Sequence, residues 1–280
     1  MKKLGIAFLS FALASTMGSA LYADTSARVT ETFNIVDHGP QGSTDYSPAD
    51  KGTLIPDGED VKTGPESHAE LKLPSTSVTR LGANTIFNYS ADSNTVDLQS
   101  GTILFCKPKE SDQRLNIKTA AVTAAIVGTT GFASVTGEGN HKTYILGLIE
   151  GHAIAHANDH PFPLGPGDAL EFAPGRQPFI FAYDVPRFVH SAPLLTKFHT
   201  TLPNQAYIDK ELAEYADDAS RGFIEPPHKD ISYSGNVPLI PVSALDSAQN
   251  AQDRGRDTDI PPAQPQSSSG GYQGGSSSYH

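Results

Sequence analysis

Residues 116–132 read Asn-Ile-Lys-Thr-Ala-Ala-Val-Thr-Ala-Ala-Ile-Val-Gly-Thr-Thr-Gly-Phe. Leu115, Ile117 and Thr119 alternate with Asn116 and Lys118, the period-2 pattern of a half-buried strand. The run that follows, residues 120–127, is small and apolar and carries no charge. Alanine favours helix, but the run has no helix start signal and Gly128 ends it after too few residues. It is therefore read as a second strand. Gly128 and Gly131 bracket Thr129 and Thr130, and Phe132 opens another alternating run. Two glycines so close suggest a turn or bulge with positive backbone torsions.

Outward from this centre the pattern repeats. Arg28 to Val36 reads as a first strand, anchored by Val29, Phe33 and Ile35, and His38 to Asp50 as a loop. Short units ending in turns follow at Leu54–Gly58 and Val61–Gly64. In Ser67 to Leu73 the residues Ala69, Leu71 and Leu73 face one way. His68, Glu70 and Lys72 face the other. Further strands are read at Val78–Leu81, Thr85–Tyr89, Val96–Gln99 and, started by Gly101, Thr102–Cys106. Beyond the centre come Ala133–Thr136, Tyr144–Ile149, His152–His156, Leu170–Phe172 and Phe179–Tyr183. Strands about ten residues apart leave no room for crossover helices, so the class is all-β and α/β is disfavoured. Residues 28–185 form this domain, long enough to bury a workable core. A meandering sandwich and an irregular β-solenoid both fit.

The chain has 280 residues, no tryptophan and 18% charged residues, with 25 glycines and 21 prolines, which argues for turns over a helical bundle. Residues 1–23 read as an export signal. Lys2 and Lys3 precede the apolar Leu4–Leu13, too short to span a bilayer comfortably, with cleavage after Ala20 or Ala23. No membrane span is expected in the mature chain. Without Lys2 and Lys3 there remain 18 basic against 31 acidic residues, a net charge of −13. That disfavours nucleic acid and anionic membrane surfaces as partners. Cys106 is the one cysteine, expected as a small buried hydrophobe.

Residues 186–244 are a connector. It holds one amphipathic helix at about 205–220, with Ile208, Leu212, Tyr215, Ala216 and Ala219 on one face, Asn204 as N-cap and Gly222 as stop. That helix is expected to cap the sheet. Glu225 to Ala244 reads as extended. Residues 245–280, ending in Ser and Gly, read as a disordered tail.

An ordered set of short motifs runs through Thr53 to Phe172. It comprises Thr63-Gly64, Ser67, Glu70-Leu71, Leu81-Gly82, Thr85, Leu98 with Gly101, and Thr119. Gly128-Thr129 with Phe132, Glu150-Gly151 and Pro166-Gly167-Asp168 complete it. Together they resemble the FecR domain, named for the periplasmic part of the ferric-citrate regulator. The resemblance implies an all-β fold with no catalysis attached to the glycines. Founding members of that family regulate sigma factors in response to a TonB-dependent transporter, through a cytoplasmic segment and a membrane helix. Here a signal segment stands in that place, and Thr130-Gly131 is inserted before the aromatic.

His152, His156 and His160 have the look of a metal cluster. On a strand, however, the first two lie roughly 13 Å apart, too far to share an ion. They read as solvated histidines. Glu66, Glu70, Asp92, Asp97 and Asp112 are scattered, without EF-hand spacing. No Gly-x-Ser-x-Gly elbow, His-Glu-x-x-His or P-loop occurs. No catalytic, cofactor-binding or metal residue, no cofactor and no enzyme activity is therefore expected. The sequence reads as an exported, non-enzymatic FecR-like module, periplasmic or extracellular, that binds an envelope protein or surface polymer. Edge strands could serve for binding by strand addition. The alternatives are a structural cell-surface component, with the tail as spacer, and a transport-signalling sensor without a membrane anchor.

Overall fold

The computed structural model describes residues 25–221, together with 231–232 and 240–241. The proposed signal segment and the tail lie outside these residues, as does Gly222. The early strands are β1 (Ala27–Phe33), β2 (Val36–Pro40), β3 (Ser47–Pro48), β4 (Leu54–Ile55), β5 (Glu59–Thr63), β6 (His68–Lys72), β7 (Val78–Leu81) and β8 (Ile86–Ser90). Next come β9 (Thr95–Cys106), β10 (Leu115–Lys118), β11 (Val122–Ile126), β12 (Thr130–Thr136) and β13 (Thr143–Glu150). Then follow β14 (Ala153–Ala157), β15 (His160–Leu164), β16 (Asp168–Phe172) and β17 (Phe179–Ala182). Helices α1 (Val185–Ser191), α2 (Pro193–Thr196) and α3 (Gln205–Ser220) end the packed part, and β18 (Ile231–Ser232) pairs with β19 (Ile240–Pro241). The fold is all-β with few helices, and β11 is a strand despite its alanines.

The seventeen strands form one hydrogen-bonded sheet that folds into two layers at β9. The inner layer runs β4-β1-β6-β7-β9-β12-β13-β16-β17. The outer layer runs β3-β2-β5-β8-β9-β10-β11-β14-β15. Residues 95–100 of β9 pair with β8 in the outer layer, and residues 101–106 pair with β12 in the inner one. The hinge is Gly101, at φ +87°, where a Cβ would stand 2.4 Å from Thr85 Oγ1 and 2.5 Å from its Cα. A glycine that reads as the start of a strand is thus the crossing point inside a longer one. Both fold alternatives contribute: the packing is a sandwich, while the chain steps repeatedly from one layer to the other.

Val29, Leu71, Leu146 and Leu170 of the inner layer meet Val61, Leu98, Ile117 and Ile126 of the outer layer in one core. A second core lies on the far face of the inner layer, where Phe132, Ile149, Phe181 and Tyr183 are covered by Phe188, Leu194, Leu202 and Ile208. The inner layer is therefore buried on both faces. Residues 184–220 form a strap across it.

Several boundaries differ from the sequence reading. Arg28–Val36 is two strands, split at Asn34, whose φ is +58° and whose amide donates to Glu66 C=O at 2.9 Å. The stretch 38–50 includes part of β2 and all of β3. His160 belongs to β15, joined to β14 by Asn158 and Asp159, both at positive φ, a two-residue hairpin turn. Helices α1 and α2 occupy what reads as an irregular connector; Asp184 caps α1 by accepting from the Arg187 N–H, and Pro186 and Pro193 sit in the first turns. Gly131 is not in a positive-φ turn. It is small because a Cβ there would stand 2.4 Å from Gly147 O.

Candidate docking edge and the nodes behind it

The strap is fixed by two buried polar nodes on residues of the ordered motif set. At the first, Glu70 of β6 accepts from Arg80 Nε of β7 at 2.8 Å and from Thr30 Oγ1 at 2.7 Å. It also accepts from Thr200 Oγ1 of the strap. The Arg80 guanidinium donates to Leu194 C=O at 3.0 Å and lies over the Phe198 ring, 4.5 Å from its centroid. Glu70 belongs to the face that alternation assigns to solvent, yet it is buried, because the strap supplies its partners. His68, on the same face, stacks on Phe33 at 4.9 Å and meets the Phe198 ring edge-on.

At the second node, Glu150 accepts from Thr130 Oγ1 at 2.9 Å and from Asn204 Nδ2 at 2.7 Å. Lys109 Nζ stands 3.2 Å from its other oxygen, an ion pair without hydrogen-bond alignment. Asn204 also donates to Lys107 C=O at 2.9 Å, while its own oxygen has no partner. The expected N-cap is therefore a bolt: its amide turns into the domain and leaves the helix end uncapped by it. Of the predicted helix face, Ile208 is fully buried and Leu212 packs on the second core, but Ala216 is exposed. The Ala219 side chain lies outside the description.

The central turn is structural. Gly128 is buried at φ +62°, and a Cβ would stand 2.9 Å from Lys109 Cγ. Thr129 Oγ1 donates to Val127 C=O and His152 C=O, each at 3.1 Å. Cys106 is buried beside Thr130, and burial pushes its thiol up to about 11, which makes it inert near neutral pH. His152, His156 and His160 are all exposed. Among the described residues no three His, Cys, Asp or Glu side chains gather as metal ligands.

The two layers end in four edges, and these are unlike one another. β3 and β4 have two residues each. β15 carries Pro161 and Pro163, which cannot donate to an added strand. β17 has neither proline nor charge, and among the described residues it pairs only with β16. Phe179 is 39% and Ile180 40% exposed on it. Tyr183 N–H bonds to Gly167 C=O at 3.0 Å. In the alternation of an antiparallel ladder, residues 179, 181 and 183 therefore face β16 with their backbone groups, and Ile180 and Ala182 turn theirs outward. The sequence gives the uncharged run Phe179–Tyr183, but only the sheet order shows that it is an edge. At its end lies a cleft of about 310 Å³ between β17 and α3, whose rim carries Asp168, Glu211, Glu214 and Asp218. Burial and the charges of Glu214 and Glu150 hold the Glu211 carboxyl above its usual range.

No curated protein matches the chain. Solved structures resemble it, among them two crystal structures, each described as a candidate anti-sigma factor from Parabacteroides distasonis ATCC 8503. One, at 2.50 Å, is 13% identical with a TM-score of 0.42, over 48% of this chain and 64% of that one, so this chain spans less than two thirds of it. The other, at 1.65 Å, is 12% identical with a TM-score of 0.44, over 69% of this chain and 92% of that one. Among the described residues no helix is long and apolar enough to cross a membrane. Residues 59–153, which hold Glu70, Gly101, Gly128 and Glu150, match the family model described as FecR protein, and over that stretch the chain carries a FecR domain.

Proposed function

We propose that the protein is exported and serves as a non-enzymatic protein-binding module of the cell envelope. It takes an extended segment of a partner onto the edge of β17. The observation that carries this reading is the contrast of edges among the described residues: two end in two-residue strands, beyond which β1 carries Glu31 and β2 carries Pro40, one is proline-blunted, and the edge of β17 is uncharged, apolar and exposed. Main-chain groups of an edge give affinity to an added strand, and flanking side chains give selectivity. The FecR domain supports a regulatory, partner-dependent role, because the resemblance to that family implies regulation of a protein partner. The N-terminal segment, with its lysine pair and apolar run, supports export. The polar nodes support a non-enzymatic reading, because their carboxylates are engaged in holding the strap.

A photo-crosslinking residue placed at Ile180, and separately at Pro163, tests this in cells. An adduct from position 180 in the exported fraction, and none from 163, is expected. Equal adducts from both edges, or none from 180, would discard the reading. N-terminal sequencing should find the chain starting at Leu21 or Asp24; intact Met1 in the cytoplasm would rule out export.

A further inference from the structure

We propose that the segment added to β17 is the β17 of a second copy of this chain, so that two inner layers join into one sheet across a two-fold axis. The inference rests on the strand-addition reading above and names its partner.

The register follows from the backbone. Ile180 and Ala182 turn their N–H and C=O groups outward. An antiparallel partner must therefore bond to these two residues. When the partner is the same strand, a two-fold axis at Phe181 pairs Ile180 with Ala182 of the second copy, and the reverse, so both outward pairs are used at once. Phe179, Phe181 and Tyr183 share the strap-side face of the sheet. Phe179, exposed in one copy, then falls opposite Tyr183 of the other, and the two Phe181 side chains meet on the axis. The exposed apolar surface at Phe179 and Ile180 is covered in this way.

Charge favours the second copy over an arbitrary apolar segment. The protein is acidic, at −11, yet the turn that leads into β17 carries Arg176, exposed and without a salt bridge among the described residues. In the same register Arg176 of one copy falls opposite Pro186 of the other, next to Val185. Val185 lines the acidic cleft, whose carboxylates are Asp168, Glu211, Glu214 and Asp218. Glu214 already pairs with Lys210 at 2.9 Å and Asp168 accepts from Gly165 N–H at 2.9 Å. Among the described residues Glu211 and Asp218 remain to receive a guanidinium. Symmetry makes the contact twice, so each cleft is completed by a residue from the other copy.

Sedimentation velocity of the purified full chain from about 1 to 200 µM tests this. A monomer–dimer equilibrium is expected. Ile180→Lys, which places a charge at the centre of the joint and leaves the β16 ladder alone, should abolish it with the circular dichroism unchanged. Arg176→Glu should weaken it by about tenfold or more. Mixing Arg176→Glu with Asp218→Arg should restore a dimer, because both contacts in the mixed pair are then complementary. A wild-type chain that stays monomeric overturns the second-copy inference, and the crosslink at Ile180 then decides separately whether another protein uses the edge. A dimer that survives Ile180→Lys, or is indifferent to Arg176→Glu, overturns it too.

Discussion

β12 and β14 have similar small, uncharged sequences but different surroundings. In β12 six of seven residues are buried, whereas β14 alternates buried and exposed along its length. The difference is not in the strands. β12 lies in the inner layer, with the outer layer on one side and the strap on the other, while the far face of β14 meets solvent. Alternation reports burial faithfully only where one face is wet. Where the strap covers the second face, polar side chains that read as solvent-facing become buried anchors, and they are tolerated because the strap provides their partners.

The largest test of this contrast is Arg80→Leu. Glu70 and Arg80 are both buried, so removing the guanidinium leaves a carboxylate without its cation and strips the donor from the Leu194 and Thr200 carbonyls, leaving the Thr200 hydroxyl on Glu70 to hold this part of the strap. Breaking a buried pair in this way costs about 3–5 kcal/mol. Chemical denaturation should show that loss, and Glu70→Leu combined with Arg80→Leu should recover much of it. A cost below about 1 kcal/mol would mean that the inner face is not sealed.

The central turn comes next. At Gly128 an alanine meets both a left-handed backbone and the Lys109 backbone, 3.1 Å from the new Cβ. Gly128→Ala should cost about 1–2 kcal/mol from the torsion, with crowding added. Thr129→Val removes the donor to Val127 and His152 and should cost roughly 1–3 kcal/mol. Denaturation midpoints of the two variants beside wild type check both. Two neutral results would show that the turn does not join the layers.

These residues also mark how far the sequence can be read. The all-β class, the strand over residues 122–126, the helix at 205–220 and the inertness of Cys106 follow from periodicity, turn residues and burial. The face of Glu70 does not, because a covering segment 130 residues away, at Thr200, decides it. Asn204 looked like a cap, since residue type and position fit one, but its amide found stronger acceptors in Glu150 and the Lys107 carbonyl. Gly101 and the β17 edge were invisible for the same reason: which strand neighbours which is set by long-range pairing, not by local pattern. Pro161 and Pro163 were the one local sign of a blunted edge.

Acid should loosen the strap before the rest. Burial lowers the His68 pKa, aided by Lys197 and His199 and opposed by Glu31. The neutral ring therefore stabilises the fold fully above its unfolded value of about 6.5, and that contribution is lost as pH falls through the lowered folded value. Burial raises Glu31, but its bonds to His199 and the His199 and His68 charges outweigh this and hold it below its usual range. Its contribution is likewise lost at still lower pH. The Tm should fall between pH 7 and pH 5. His68→Phe, which keeps a ring between Phe33 and Phe198 but cannot take up a proton, should reduce that fall. An equal fall in the variant would place the acid sensitivity elsewhere.

The smallest effect is expected on the wet face of the outer layer. His156 is exposed on β14, opposite Thr123 on one side and Pro161 on the other, while Ala155 and Ala157 beside it in sequence are buried. Its ring has no hydrogen-bonding partner among the described residues that alanine would leave buried, so His156→Ala should stay within about 0.5 kcal/mol of wild type. The measurement is denaturation of the variant with metal content determined in parallel. His156 lies in the β14 ladder and Thr129 bonds His152 just before it, yet one is wet and the other is sealed, so the pair isolates burial from position in the sheet. If His156→Ala were the more damaging of the two and released a bound ion, the histidines would form a site, and the outer face would be the working surface of the protein in place of the β17 edge.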